Sequence, residues 1–255
     1  MTAPCIFFID EAGWRIVQDL APKGSVLVFD PDRYPGCADL ESLGMSPFPY
    51  RTRRDAEALL ARMATLSPPL GVVASFNHVL PPAVFNAPPC GMVNVHGGAL
   101  PEYRGANTLQ WAIINGESEL GVTLHYVNAG IDAGPVIAVE RVAIEYHDSA
   151  VTLRDKIIAR GRALLAAWLP RLVQGRVAAT PQSEEHARYW PRRKPADGRI
   201  DWTRSDEQIR DLVRALVPPW PGAFYENHAG NRIVLDRMLT IEEIRALRTE
   251  AAGKA

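Results

Sequence analysis

Short apolar runs alternate with stretches of helical period through the first half of the chain. Ile6 to Ile9 and Ser25 to Phe29 read as buried strands, and between them Trp14, Ile16, Val17 and Leu20 recur at the spacing of one helix face. Asp55 to Leu66 repeats the helical pattern, Gly71 to Ser75 is the next buried run, and Val93 to Val95 another. Asn107 to Asn115 predicts a helix closed by Gly116, a residue suited to a left-handed terminus. Gly121 to Tyr126 and Val136 to Ile144 are rich in β-branched residues. They flank the glycine-bearing loop Asn128 to Gly134, which predicts a hairpin-like pair. Thr152 to Leu172 carries one apolar stripe and predicts a long helix over the core.

Strands alternating with helices in this way predict an α/β fold, an open and mostly parallel Rossmann-like sheet flanked by helices. From Val173 to Pro195 the chain turns polar and proline-bearing, as a linker does. A helix from Asp206 to Leu216, a turn at Pro218 to Gly222 and strands at Ala223 to Tyr225 and Arg232 to Leu235 follow, predicting a small α+β, OB-like C-terminal subdomain. The expected boundaries are 1–180 for the catalytic domain, 181–240 for the subdomain and 241–255 for a charged, helix-prone tail.

Composition narrows the partners. Of 255 residues 47% are hydrophobic, enough to bury a real core. Lysine plus arginine total 28 against 29 acidic residues, a formal charge of -1, so the charge signature of a nucleic-acid binder is missing and a small-molecule partner is expected. Cys5, Cys37 and Cys90 are an odd number without metal-ligand spacing, so reduced thiols and no metal are expected. The first apolar run is shorter than a signal peptide needs, and no stretch approaches the roughly 18 apolar residues of a membrane span. A cytoplasmic protein without a membrane partner is expected, and a homodimer stays open.

The densest polar cluster is Asn94-Val-His96-Gly-Gly-Ala-Leu-Pro101-Glu-Tyr-Arg104-Gly105, where a strand runs out into a loop. Asn94 and His96, two apart, share a strand face and meet the crevice at the end of an open sheet. An amide can donate to a developing oxyanion and an imidazole can manage the proton of an amine. Asp132, on its glycine-flanked loop, could fix and stabilise that imidazole. By residue type alone, a satisfied polar pair and an ordinary turn are the commoner readings of such a pattern.

The pattern Asn94-x-His96-x-x-x-Leu100-Pro-x-Tyr103-Arg-Gly, followed by Gly121-Val-Thr-Leu and Ile131-Asp132-Ala-Gly134, resembles the folate-dependent N-formyltransferase family. The resemblance runs from about Leu70 to Phe224, taking in Arg193-Lys-Pro-x-Asp-Gly-x-Ile-Asp-Trp202 and Pro219-Trp-Pro-Gly-Ala-Phe224. It is nearest the amino-sugar-nucleotide branch acting on UDP-4-amino-4-deoxy-arabinose, and is similar also to methionyl-tRNA formyltransferase. It implies transfer of a formyl group from 10-formyltetrahydrofolate to a primary amine, carried by Asn94, His96 and Asp132. It also implies a reduced pterin lying against His78, Val79 and Leu80, the loop Asn128, Ala129, Gly130 and Ile131, and Gly98, Ala99, Leu100 and Pro101.

The implied acceptor is a nucleotide-linked amino sugar. A hydroxyornithine or peptidyl amine, methionyl-tRNA, a folate hydrolase and a non-catalytic folate-binding module are the alternatives. Two departures stand out: Gly98 occupies the place of a common family serine, and the first βα turn lacks the usual glycine-rich opening. His125, mid-strand, reads as structural, Tyr103 and Arg104 as braces of the site loop, and Arg192-Arg193-Lys194 as a solvated linker face, with contact to a phosphorylated acceptor as the alternative.

Overall fold

Ile6–Ile9 and Val26–Phe29 are apolar at every position and buried at every position, which is the signature of parallel strands covered on both faces. In the computed structural model they form β1 and β2. The structure describes residues 3–35, 40–251 and 253; Cys37, Met1 and the end of the expected tail lie outside the described residues.

The sheet has seven strands in the order β3-β2-β1-β4-β5-β7-β8, where β3 is Ser46–Pro49, β4 Gly71–Ala74, β5 Met92–His96, β7 Glu119–Tyr126 and β8 Val136–Ala143; the two-residue strands β6 (Arg104–Gly105) and β9 (Tyr189–Trp190) lie outside it. Strands β3 to β5 are mutually parallel, and β7 runs antiparallel to β5. Strand order reverses between β1 and β4, so the C-terminal ends of these strands frame the crevice that such sheets use for ligands. The apolar period gives no hint of β3, because two of its four residues are prolines. They are tolerated because β3 is an edge strand and lacks a ladder partner on one side.

Helices α1 (Glu11–Val17), α2 (Ala56–Leu66), the single turn α3 (Pro82–Phe85) and α5 (Ala150–Leu172) accompany the sheet. Asp10 caps α1 by accepting from the Gly13 amide at 2.9 Å. A Cβ at Gly13 would stand 1.9 Å from the Ala74 carbonyl oxygen, so only glycine lets α1 approach β4 this closely. Gly161 does the same for α5, where a Cβ would meet Val95 at 3.0 Å.

The chain forms two units. Met1–Arg104, Gly121–Glu140 and Ile157–Arg188 make the first; Gly105–Leu120, Arg141–Lys156 and Tyr189–Ala255 make the second. The second holds helices α4 (Thr108–Ile114), α6 (Asp206–Arg214) and α7 (Ile241–Ala251), and the antiparallel ladder β10 (Ala223–Glu226) with β11 (Arg232–Leu235). A reciprocal cap between Ser205 and Gln208 opens α6. In α7 Ile244 is fully buried, and Arg245 and Arg248 reach Asp206.

Candidate active site

The site grows out of one register. In the β5–β7 pairing Asn94 faces His125 and His96 faces Thr123, so strand alternation puts four polar side chains on one face of otherwise apolar strands. Asp132 arrives on the loop after β7, with a φ of 49° that an aspartate tolerates better than most residues. Its Oδ1 lies 3.3 Å from Asn94 Nδ2 and its Oδ2 3.6 Å from His96 Nδ1. Asn94, His96 and Asp132 are therefore brought together, as the family resemblance implies.

Hydrogen-bond logic fixes the protons. His125 Nδ1 lies 2.9 Å from the Tyr126 carbonyl, which only accepts, so Nδ1 carries the hydrogen and Nε2 a lone pair. That lone pair takes an N–H of Asn94 at 3.1 Å, and the amide's other N–H points to Asp132. His125 is 2% exposed, and burial together with the neighbouring His96 charge pushes its pKa down to about 4, so it stays neutral. His96 Nε2 donates to the Tyr103 carbonyl at 2.6 Å, and its Nδ1 faces Asp132. Both of its nitrogens thus meet acceptors.

Two further groups hold this arrangement. Arg104 is fully buried and donates to Gln182 at 2.9 Å and to both oxygens of Glu184 at 3.0 and 2.8 Å. Gln182 in turn donates to the carbonyls of Asp132 and Gly134 at 2.8 and 2.7 Å, pinning the loop. Arg104 is thus a brace, as expected, whereas Gln182 lies in the stretch that reads as linker. Thr123 Oγ1 donates to the Gly98 carbonyl at 2.6 Å and accepts from the Leu100 amide at 3.3 Å, shaping the loop beyond His96.

Gly98 earns its departure from serine sterically. A Cβ there would lie 2.6 Å from the Tyr103 carbonyl oxygen and 2.7 Å from His96 Nε2. The Tyr103 carbonyl occupies the space a side chain would need. Of the segments implied for the pterin, Val79 and Ile131 are large exposed apolar side chains, 78% and 58% accessible, while Leu80 and Leu100 are buried. His78 is committed elsewhere, 2.9 Å from Asp30 Oδ2 and against the rings of Tyr50 and Phe76. Asn128 Oδ1 accepts from the Gly130 amide, closing a turn.

The family model described as formyl transferase matches residues 22–169, and the one described as formyl transferase, C-terminal domain, matches residues 192–250. The chain belongs to the formyl transferase family. Among solved structures, this formyl transferase is similar to a sugar N-formyltransferase from a Shewanella species, at 20% identity and a TM-score of 0.74 over 94% of this chain and 98% of that one. It is similar also to a 4-N formyltransferase from Francisella tularensis, at 16% identity and a TM-score of 0.75 over 93% and 98%. A third is HypX from Aquifex aeolicus in complex with tetrahydrofolic acid, at 20% identity and a TM-score of 0.63 over 90% of this chain and 37% of that one. The formyl transferase fold is common to all three.

Proposed function

We propose that this formyl transferase moves the formyl group of 10-formyltetrahydrofolate onto the primary amine of a nucleotide-linked amino sugar, with Asn94, His96 and Asp132 as its catalytic residues. The observation that carries the reading is their convergence at the sheet rim, with His125 holding one N–H of Asn94 and leaving the other on a long, exchangeable contact. Contacts of 3.3 and 3.6 Å to Asp132 are weak, so trading them for short bonds to a developing oxyanion costs little.

In this mechanism Asn94 Nδ2 and His96 Nδ1 donate to the formyl oxygen as the neutral amine adds to the formyl carbon and the C=O electron pair moves onto oxygen. Asp132 accepts the proton that the amine nitrogen must lose. As the carbonyl re-forms, the bond from the formyl carbon to the folate nitrogen breaks, and that nitrogen gains the proton by way of His96. The products are a formamide and tetrahydrofolate.

The exposed apolar Val79 and Ile131 fit a flat pterin, and a similar fold binds tetrahydrofolic acid in HypX. Support for a sugar-linked amine comes from the solved sugar N-formyltransferases and from the near-neutral charge, which offers little to the phosphates of a tRNA. The test is incubation with 10-formyltetrahydrofolate and a panel of amines, analysed by mass spectrometry. A formylated amino-sugar nucleotide is expected; formate release independent of any amine would identify a hydrolase instead, and an intact donor with every amine would identify a binding module.

A further inference from the structure

The second unit contains a cleft of about 80 Å³ whose walls include Asn107, Gln110, Arg193, Lys194, Leu216 and Trp220. Two of its lining residues are cations and none is acidic, in a chain whose formal charge is -1. The floor is closed by backbone: a Cβ at Gly198 would stand 2.8 Å from the Gly222 carbonyl oxygen.

Arg193, which the sequence pattern leaves on a solvated linker face, is instead half-buried. Its guanidinium lies 4.7 Å from the centre of the Trp111 ring and donates through Nη2 to the Asp197 carbonyl at 2.7 Å. Its Nε is buried without a hydrogen-bond partner. Across the Trp220 ring, 5.7 Å from its centre, sits the guanidinium of Arg154, whose Nε is likewise buried and unpartnered. Asp197 acts on Arg193 through its charge, and its Oδ2 accepts from the Lys194 amide at 2.6 Å. Elsewhere in this unit Arg214 pairs with Asp211, and Arg245 and Arg248 with Asp206. Among the described residues no carboxylate lies within ion-pair distance of Arg193, Arg154 or Lys194.

Desolvating a guanidinium is unfavourable, and burial lowers the pKa of Arg193 although the charge of Asp197 acts the other way. A bound oxyanion would complete the compensation that Asp197, beyond ion-pair distance, leaves partial. The planar fork of an arginine matches a phosphoryl group, and a cavity of this size admits one tetrahedral oxyanion in place of a few waters. We propose that this cleft is a phosphoryl-binding site, with Arg193 as the principal contact, Lys194 at its mouth and Trp220 as its flat wall. The phosphoryl group belongs either to the acceptor's own nucleotide or to a separate phosphorylated effector; only the first source rests on the function proposed above.

Inorganic phosphate is the probe. Calorimetric titration of the full chain is expected to show one saturable site, weakened at least tenfold in Arg193→Gln and severalfold in Lys194→Met, and unchanged in Arg232→Gln, which lies on β11 outside the cleft. Because Arg193 also supports local structure, Lys194→Met and the chemical shift of a fluorine-labelled Trp220 provide a second readout in a folded protein. No saturable binding, equal binding by Arg193→Gln and Lys194→Met, or an unmoved Trp220 resonance would overturn the site. In formyl transfer assays, inhibition competitive with the amine assigns the site to the acceptor, and a change in kcat alone assigns it to an effector. The binding measurement needs no turnover, so its failure is distinct from failure of the formyl transfer reading.

Discussion

Replacing His125 by leucine removes a side chain that never touches the reacting atoms in the proposed mechanism and yet sets the aim of one that does. The imidazole is 2% exposed and its Nε2 accepts the Asn94 N–H at 3.1 Å. Without that acceptor Asn94 loses a bond of about 0.5 to 1.5 kcal/mol net, and its amide is free to turn. Full loss of the oxyanion donor would cost about 2.7 to 4 kcal/mol, so kcat should fall between about twofold and a thousandfold, with KM little changed. His125→Gln, whose carbonyl can accept the same N–H, should recover most of the rate. Steady-state kinetics on variants shown by circular dichroism to be folded make the assay. A normal kcat in His125→Leu, or a glutamine variant no better than leucine, would refute the reasoning.

The same residue gives stability a pH slope. Its pKa is about 4 in the folded protein against 6.5 for the free side chain, so between these values the unfolded chain binds more protons. Stability is fully present above about pH 6.5 and is lost as pH falls toward 4, by about 3 kcal/mol in all, and His125→Leu should lack this component. Urea unfolding at pH 7 and near pH 4 measures it; parallel slopes in the two proteins would contradict it. Gly98→Ser, although it restores the common family residue, should lower kcat about fivefold or more, because overpacking costs about 1 to 3 kcal/mol and falls on the His96–Tyr103 bond. Arg104→Met should destabilise the protein by about 2 to 3 kcal/mol and depress kcat through the loosened Asp132 loop, as thermal unfolding and kinetics would show. Asp132→Asn keeps the shape but not the charge beside His96, and should reduce kcat at least a hundredfold without a large change in melting temperature.

The parallel strands were readable from the sequence because unbroken apolar runs are a local signal, whereas the grouping of Asn94 and His96 with the distant Asp132 was legible only through the resemblance to a family. His125 was not legible, although it sits in the same strand pattern. Its role depends on the β5–β7 register, which sets it opposite Asn94, and on a proton position dictated by the Tyr126 carbonyl. The available clue was that Thr123 and His125 are polar positions two apart in an apolar strand, matching Asn94 and His96 across from them. Gln182 left no local signal at all, since a polar residue in a proline-bearing stretch looks like linker until the fold brings it under Asp132. Arg193 misled in the other direction, because a basic run reads as solvated and only tertiary structure lays its guanidinium on Trp111. The strand β3 was hidden by its prolines, whose tolerance comes from an edge position that sequence does not reveal.

The central claim is that Asn94, His96 and Asp132 carry formyl transfer from a reduced folate to an amine. The most direct measurement follows tetrahydrofolate production from 10-formyltetrahydrofolate together with the mass of a UDP-linked 4-amino sugar, in the wild type and in Asn94→Ala, His96→Ala and Asp132→Ala. The account predicts one tetrahydrofolate per formylated sugar in the wild type and a loss on the order of a hundredfold or more in each folded variant. Near-normal transfer by any two of the three variants, or folate turnover that ignores the amine, would contradict it.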